Sequence, residues 1–167
     1  MAIILITGGA RSGKSVRAEA RAKAFAGKPV YIATAEALDT EMRERIAKHR
    51  GRRGSEWIEH ETPLELVPAL SATDGGGARL VDCLTLWLSN LMHAGHDWSN
   101  ETARLAATLR TQKSPVVLVT NEVGLGIVPD NALARQYRDA AGMMNQMIAQ
   151  AADEVEFVVA GLPIRVK

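Results

Sequence analysis

The chain has 167 residues, 47% of them apolar, and a formal net charge of +1. That is one domain's length with enough apolar material for a sizeable core, and no global field to draw in nucleic acid. The lone cysteine, Cys83, excludes an intrachain disulfide, and no apolar run approaches the ~20 residues of a membrane span, so the expectation is a cytoplasmic protein with no membrane span.

In chain order, the opening "MAIILITGG" has no basic region before its apolar run and passes straight into a glycine-rich loop. It reads as a strand over 3–6 rather than a signal peptide. Four further runs, at 30–33, 79–82, 116–120 and 155–159, are short, continuous and rich in Val, Ile and Leu. Strands buried on both faces of a parallel sheet have that composition. Helical patterns lie between them at 15–26, 39–50, 84–92, 100–110 and 131–152. Asp39 is the expected N-cap of the second, and Leu133, Tyr137, Met144 and Ile148 form one stripe of the last. The closing "GLPIRVK" predicts a short edge strand, a position that tolerates Pro163. Residues 73–78 read as a surface loop between helix and strand, and residues 93–100 as a loop joining two helices. Alternating strands and helices predict a single α/β domain over 1–167, with helices on both faces of a mostly parallel sheet.

The segment "GGARSGKS" fits G-x-x-x-x-G-K-[ST] on Gly8, Gly13, Lys14 and Ser15, between a strand and a helix. Glycines there let backbone N–H groups turn inward around phosphate oxygens, and the helix N-terminus adds its partial positive charge. Lys14 would reach the β- and γ-phosphates and Ser15 would ligate Mg²⁺. Asp82, ending the third strand, would hold the same ion through water; its ordinary alternative is a helix cap. Asn121 and Glu122 end the fourth strand. Glu122 has two readings, orienting substrate or water, or closing a turn.

The segment 43–53, "RERIAKHRGRR", carries six basic side chains and His49. On a helix, Met42, Ile46 and His49 share one face. Met42 and Ile46 would point at the core, and His49 would stand at its edge beside Lys48, Arg50, Arg52 and Arg53. Clustered cations disfavour the protonated imidazole and leave a neutral nucleophile, while the same cations offset a triphosphate. The competing reading is a histidine that complements a helix C-terminus. The pair His93 and His96 lacks a third ligand, which makes zinc a poor reading. Trp57 is placed either against a base or in the core, His60 at the surface, Trp87 on a helix and Trp98 in a loop, the last two as packing residues.

Four stretches carry a resemblance: "TGGARSGKS", "YIATA" at 31–35, "DTEMRERIAKHRGRRGSEW" at 39–57 and "VTNEVGLGIVPDNALARQYRDAAGMMNQ" at 119–146. Together they resemble the bifunctional adenosylcobinamide kinase / adenosylcobinamide-phosphate guanylyltransferase family of cobalamin biosynthesis. The "RIAKHR" and "NEVGLGIVP" segments are the specific ones. The resemblance implies a P-loop NTPase (RecA-like) three-layer fold. It implies phosphorylation of adenosylcobinamide with ATP or GTP, then GMP transfer from GTP through a histidine to the phosphorylated corrinoid. His49 matches that histidine, with Lys14 beside it as a catalytic residue. Nucleotide contacts are implied for Gly8, Gly9, Ala10, Arg11, Ser12, Gly13, Lys14 and Ser15, for Ala33, Thr34 and Ala35, for Arg50, Gly51, Arg52 and Arg53, and for Glu61 and Asp82. Mg²⁺ falls to Ser15 and Asp82. Glu61 has the acceptors to select guanine through its N1–H and exocyclic amine. A homotrimer is also implied.

Three competing readings remain at this level. A P-loop kinase for another small molecule needs no histidine nucleophile. A RecA-like module on nucleic acid would use 43–53 as a contact patch, against which stand the neutral net charge and the lack of aromatics in the patch. A protein that holds GTP without turnover is the third.

Overall fold

The computed structural model describes residues 1–36, 40, 43, 51 and 54–167. Its strands are β1 (Ile3–Gly8), β2 (Val30–Ala33), β3 (Ile58–Glu61), β4 (Arg79–Asp82), β5 (Val116–Val119), β6 (Glu154–Val159) and β7 (Leu162–Arg165). Its regular helices are α1 (Lys14–Lys23), α2 (Leu66–Ala72), α3 (Leu84–His93), α4 (Trp98–Leu109) and α5 (Ala132–Ala151). Thr40, Arg43 and Gly51 are helical. The rest of the helix expected at 39–50, its Asp39 cap included, lies outside the described residues.

The strands form one seven-stranded sheet in the order β3-β2-β4-β5-β1-β6-β7. Every pairing is parallel except β6 with β7, and β7 lies at the sheet edge as expected. Alternation along β1 shows why the apolar runs are continuous. Ile3 and Leu5 belong to a core shared with α2, α3, α4 and α5. Ile4 and Ile6 belong to a second core with Ala18 and Ala22 of α1. Two buried faces leave no polar position between Ile3 and Ile6. Each such Ile, Leu or Val side chain contributes about 1.5–3 kcal/mol by leaving water.

Two elements were not delimited from the sequence. β3 is "IEHE", largely exposed, and is held as an edge strand by pairing with β2. α2 carries Pro68 in its first turn, where a missing N–H costs little, and buries Leu66, Ala69 and Leu70. Trp98 opens α4 rather than lying in a loop; Asp97 caps that helix through the amides of Ser99 and Asn100. Trp87 is fully buried, its indole N–H donating to the Leu64 carbonyl at 2.8 Å. Trp57 lies in the α1-side core, edge-on to Tyr31 with ring centroids 5.9 Å apart.

The amino ends of β4 and β5 are tied by a buried charge. Arg79, 0% exposed, donates to Asp74 Oδ1 at 2.6 Å and to Gln112 Oε1 at 2.7 Å. Asp74 also accepts from the backbone amides of Lys113 and Ser114. Burial alone would raise the Asp74 carboxyl, but those amides and the Arg79 guanidinium outweigh it and hold it down to about 2.

Candidate active site

The carboxyl ends of the strands form one rim. Register places Glu61 beside Ala33, Ala33 beside Asp82, Asp82 beside Val119 and Val119 beside Ile6. Two strand spacings separate Glu61 from Asp82, roughly 10 Å. Sequence positions scattered over the first half of the chain thus share one edge, where ligands of open α/β sheets bind.

The loop after β1 turns tightly, with the Ser12 amide donating to the Gly9 carbonyl at 3.3 Å. Gly13 sits at φ 96°, a backbone region that favours glycine, and a Cβ there would come within 3.1 Å of Gly161 Cα. At Gly8 a Cβ would stand 2.6 Å from the Val158 carbonyl oxygen. The Gly161 amide donates to the Ser12 carbonyl at 2.8 Å, so the turn between β6 and β7 braces the loop. Helix α1 starts at Lys14 with no side-chain capping bond and no acid in its first turn. Its first N–H groups are therefore available to an anion. The buried Ser12 hydroxyl has no hydrogen-bond partner among the described residues. These features fit phosphate.

Arg17 grips Glu156 of β6 through Nε and Nη2 at 2.7 and 2.8 Å, and Arg21 bridges Glu156 and Glu154. The Arg17 bonds hold the Glu156 carboxyl below its usual range despite desolvation. The network locks α1, and hence the phosphate loop, onto β6. Lys14 donates to the Gly9 carbonyl at 3.0 Å. Burial pushes its ammonium below the usual lysine range, while Cys83 and Asp82 pull the other way. Lys14 and Asp82 thus share one electrostatic environment, as a phosphate-and-Mg²⁺ site requires.

Tyr31, which sequence reasoning passed over, donates its phenol O–H to Asp82 Oδ2 at 2.8 Å. That bond fixes the carboxylate at the end of β4. Asp82 therefore does not cap α3: Cys83 is the N-cap, with no side-chain capping bond. Among the described residues no three His, Cys, Asp or Glu side chains cluster as a metal site. A site of Ser15, Asp82, phosphate oxygens and water fits Mg²⁺, which keeps most of its waters.

Thr34 is fully buried, its Oγ1 donating to the Cys83 carbonyl at 2.7 Å and accepting from the Cys83 amide at 2.8 Å. Asn90 of α3 donates to the carbonyls of Thr34 and Pro63 at 2.8 and 3.0 Å. Thr34 and Asn90 together hold the segment Ala33 to Ala35 against β4, and nothing in the local sequence around Asn90 signals that. Burial and the Asp82 charge raise the Cys83 thiol to about 11, so it stays protonated at neutral pH.

Asn121 donates to Thr85 Oγ1 at 2.8 Å. Glu122 accepts from the Gly124 amide at 2.6 Å, which closes a turn. His60 is half-buried, and His93 is exposed with Nδ1 2.7 Å from the Ser89 carbonyl. Ala10 and Arg11 are exposed, Gly9 and Ala35 half-buried, and Glu61 exposed at the end of β3. Gly51 is exposed. His49, Arg50, Arg52 and Arg53 lie outside the described residues.

Comparison with known proteins bears on the fold and the family. Among solved structures, an ATPase of a bacterial type III secretion system superposes with a TM-score of 0.59 at 11% identity, over 98% of this chain and 56% of that one. The P4 protein of bacteriophage phi6 in complex with ADP gives 0.52 at 14% identity, over 98% and 54%. These likenesses are of fold: a mostly parallel sheet with helices packed on both faces. The bifunctional adenosylcobalamin biosynthesis protein CobP of Pseudomonas aeruginosa is 48% identical over 98% of this chain and 96% of its own length. The corresponding CobU of Salmonella typhimurium is 41% identical over 99% of each. The model of the cobinamide kinase / cobinamide phosphate guanyltransferase family matches residues 4–166. The chain therefore belongs to the cobinamide kinase / cobinamide phosphate guanyltransferase family.

Proposed function

We propose that the chain phosphorylates adenosylcobinamide and then transfers GMP from GTP to the product, giving adenosylcobinamide-GDP and pyrophosphate, with both steps on one domain over 1–167. The observation that carries this reading is the shared rim, with the phosphate loop, Ala33, Asp82 and Glu61 on adjacent strand ends.

In the kinase step the aminopropanol hydroxyl oxygen attacks the γ-phosphorus of ATP or GTP. An O–P bond forms, the bond to the β–γ bridging oxygen breaks, and the hydroxyl proton leaves to solvent. Lys14 and the loop amides of 8–15 offset charge on the transferring group. Ser15 and Asp82 would hold Mg²⁺, which supplies charge neutralisation at the phosphates. In the second step a His49 ring nitrogen attacks the α-phosphorus of GTP. The P–N bond forms, the α–β bond breaks, and pyrophosphate leaves with its charge offset by Arg50, Arg52 and Arg53 beside Gly51. A phosphate oxygen of adenosylcobinamide phosphate then displaces His49 from that phosphorus. Glu61 accepts from the guanine N1–H and amine, while Ala33, Thr34 and Ala35 line the nucleotide's path. The reaction draws on cytoplasmic nucleotides, and we place the chain in that compartment, as a homotrimer in keeping with the family resemblance.

The test is incubation with Mg²⁺ and GTP labelled at the α-phosphate, followed by denaturation. Acid-labile, base-stable label on the chain that vanishes in His49→Ala is expected. No label on a wild-type chain that still binds GTP overturns the transferase step and leaves a P-loop kinase.

A further inference from the structure

The segment between β5 and α5 is a second device at the same rim. β5 pairs with β1 on one side and β4 on the other. Whatever follows β5 therefore emerges between the phosphate loop and Asp82. The start of that segment is pinned there. The Glu122 amide donates to the Gly8 carbonyl at 3.1 Å, and the Asn121 carbonyl accepts from Asn145 Nδ2 at 3.3 Å. Its far end is pinned as well. Asn131 caps α5 through the Ala134 amide at 2.8 Å, and Arg135 donates to the carbonyls of Pro129 and Asp130 at 2.9 and 2.8 Å.

Between the anchors the side chains face away from the protein. Leu125 is 81% exposed, Ile127 97% and Val128 60%. A loop serving only its own fold would bury such residues or replace them with polar ones. Here they stand out from a segment anchored on Gly8 of the glycine-rich loop.

We propose that Leu125, Ile127 and Val128 are the surface on which the corrinoid ring of the acceptor lies during phosphoryl transfer. The inference rests on the functional reading above. The acceptor is a methyl-studded macrocycle whose reactive hydroxyl ends a flexible arm, so the ring must stand off from the γ-phosphate. Leu125 and Ile127 follow Glu122 by three and five residues, a reach of roughly 11–18 Å at most from the Gly8 anchor. That offset suits a ring whose arm alone enters the phosphate site. Neither nucleotide needs such a surface, since the phosphate loop and the β3–β2–β4 edge already account for its phosphates and base.

The test is the Leu125→Ser/Ile127→Ser double variant of the full chain. Kinase kinetics are run with adenosylcobinamide varied and then with ATP varied, beside α-labelled GTP labelling of the chain and sedimentation velocity. The KM for adenosylcobinamide is expected to rise about tenfold or more, the loss that follows when buried apolar side chains are removed. The KM for ATP, the chain labelling and the sedimentation should not change. An unchanged corrinoid KM overturns the inference, and an altered sedimentation coefficient in that case assigns the loop to contacts with a second copy. A parallel rise in both KM values also overturns it, because the loop would then be shaping the nucleotide site. A wild-type chain that phosphorylates no corrinoid overturns the functional reading itself, which separates the two failures.

Discussion

Substituting Asp74 tests the tie between the amino ends of β4 and β5. In Asp74→Ala the Arg79 guanidinium stays fully buried with only Gln112 as its partner. Removing one member of a buried ion pair costs about 3–5 kcal/mol, because the remaining charge is stranded. The depression of the Asp74 carboxyl from 3.8 to about 2 gives an independent measure, about 2 kcal/mol at neutral pH. Since the folded value is depressed, that stabilisation is complete above pH ~4 and is lost as pH falls toward about 2. Urea denaturation at pH 7 should therefore place Asp74→Ala about 3–5 kcal/mol below wild type, with Asp74→Asn less affected because it keeps an acceptor. The Arg17 and Arg21 bonds hold the Glu156 carboxyl down as well, so the Asp74 contribution is read from the difference between wild type and Asp74→Asn over pH 2–5. A penalty below about 1 kcal/mol for Asp74→Ala would refute the argument, since that is the scale of a solvated surface pair.

Two further outcomes are expected. Gly8→Ala sets a methyl 2.6 Å from the Val158 carbonyl oxygen and 2.7 Å from the Ser12 hydroxyl. Strand backbone must then move at a cost of about 1–3 kcal/mol, and the ATP KM should rise at least tenfold; an unchanged ATP KM with wild-type stability contradicts the packing argument. Cys83, with its thiol near 11, should resist iodoacetamide at pH 8 in the native chain and react fully in urea, followed by intact mass. Native modification on the same time scale would contradict its burial.

The phosphate loop and the five apolar strands were legible because each rests on local chemistry: two glycines where backbone must approach phosphate, and aliphatic runs that suit a sheet buried on both faces. β3 was not legible. An edge strand needs backbone pairing but no apolar face, and "IEHE" offers none. α2 was hidden by its shortness and by Pro68, which reads as a breaker unless its first-turn position is known. The roles of Tyr31 and Asn90 depend on partners 51 and 56 residues away in sequence, and no local pattern records such distances. Glu122 carried two readings; its side chain is engaged in a turn with the Gly124 amide. The exposure of Leu125 and Ile127 was equally hidden, because aliphatic residues in a sequence suggest a core.

The pairing of β1 has a consequence for biosynthesis. The phosphate loop is translated ahead of the strands β1 pairs with, for residues 3–6 pair with 116–119 and residues 4–8 with 154–158. Neither neighbour exists until most of the chain has left the ribosome. Sheets built from such distant partners fold slowly, since the chain must close long loops before any contact rewards it. An N-terminal fragment carrying the whole glycine-rich motif should therefore hold no nucleotide. A functional element made well before its partners becomes functional only after them, and β1, apolar on both faces, must be kept from other chains while it waits.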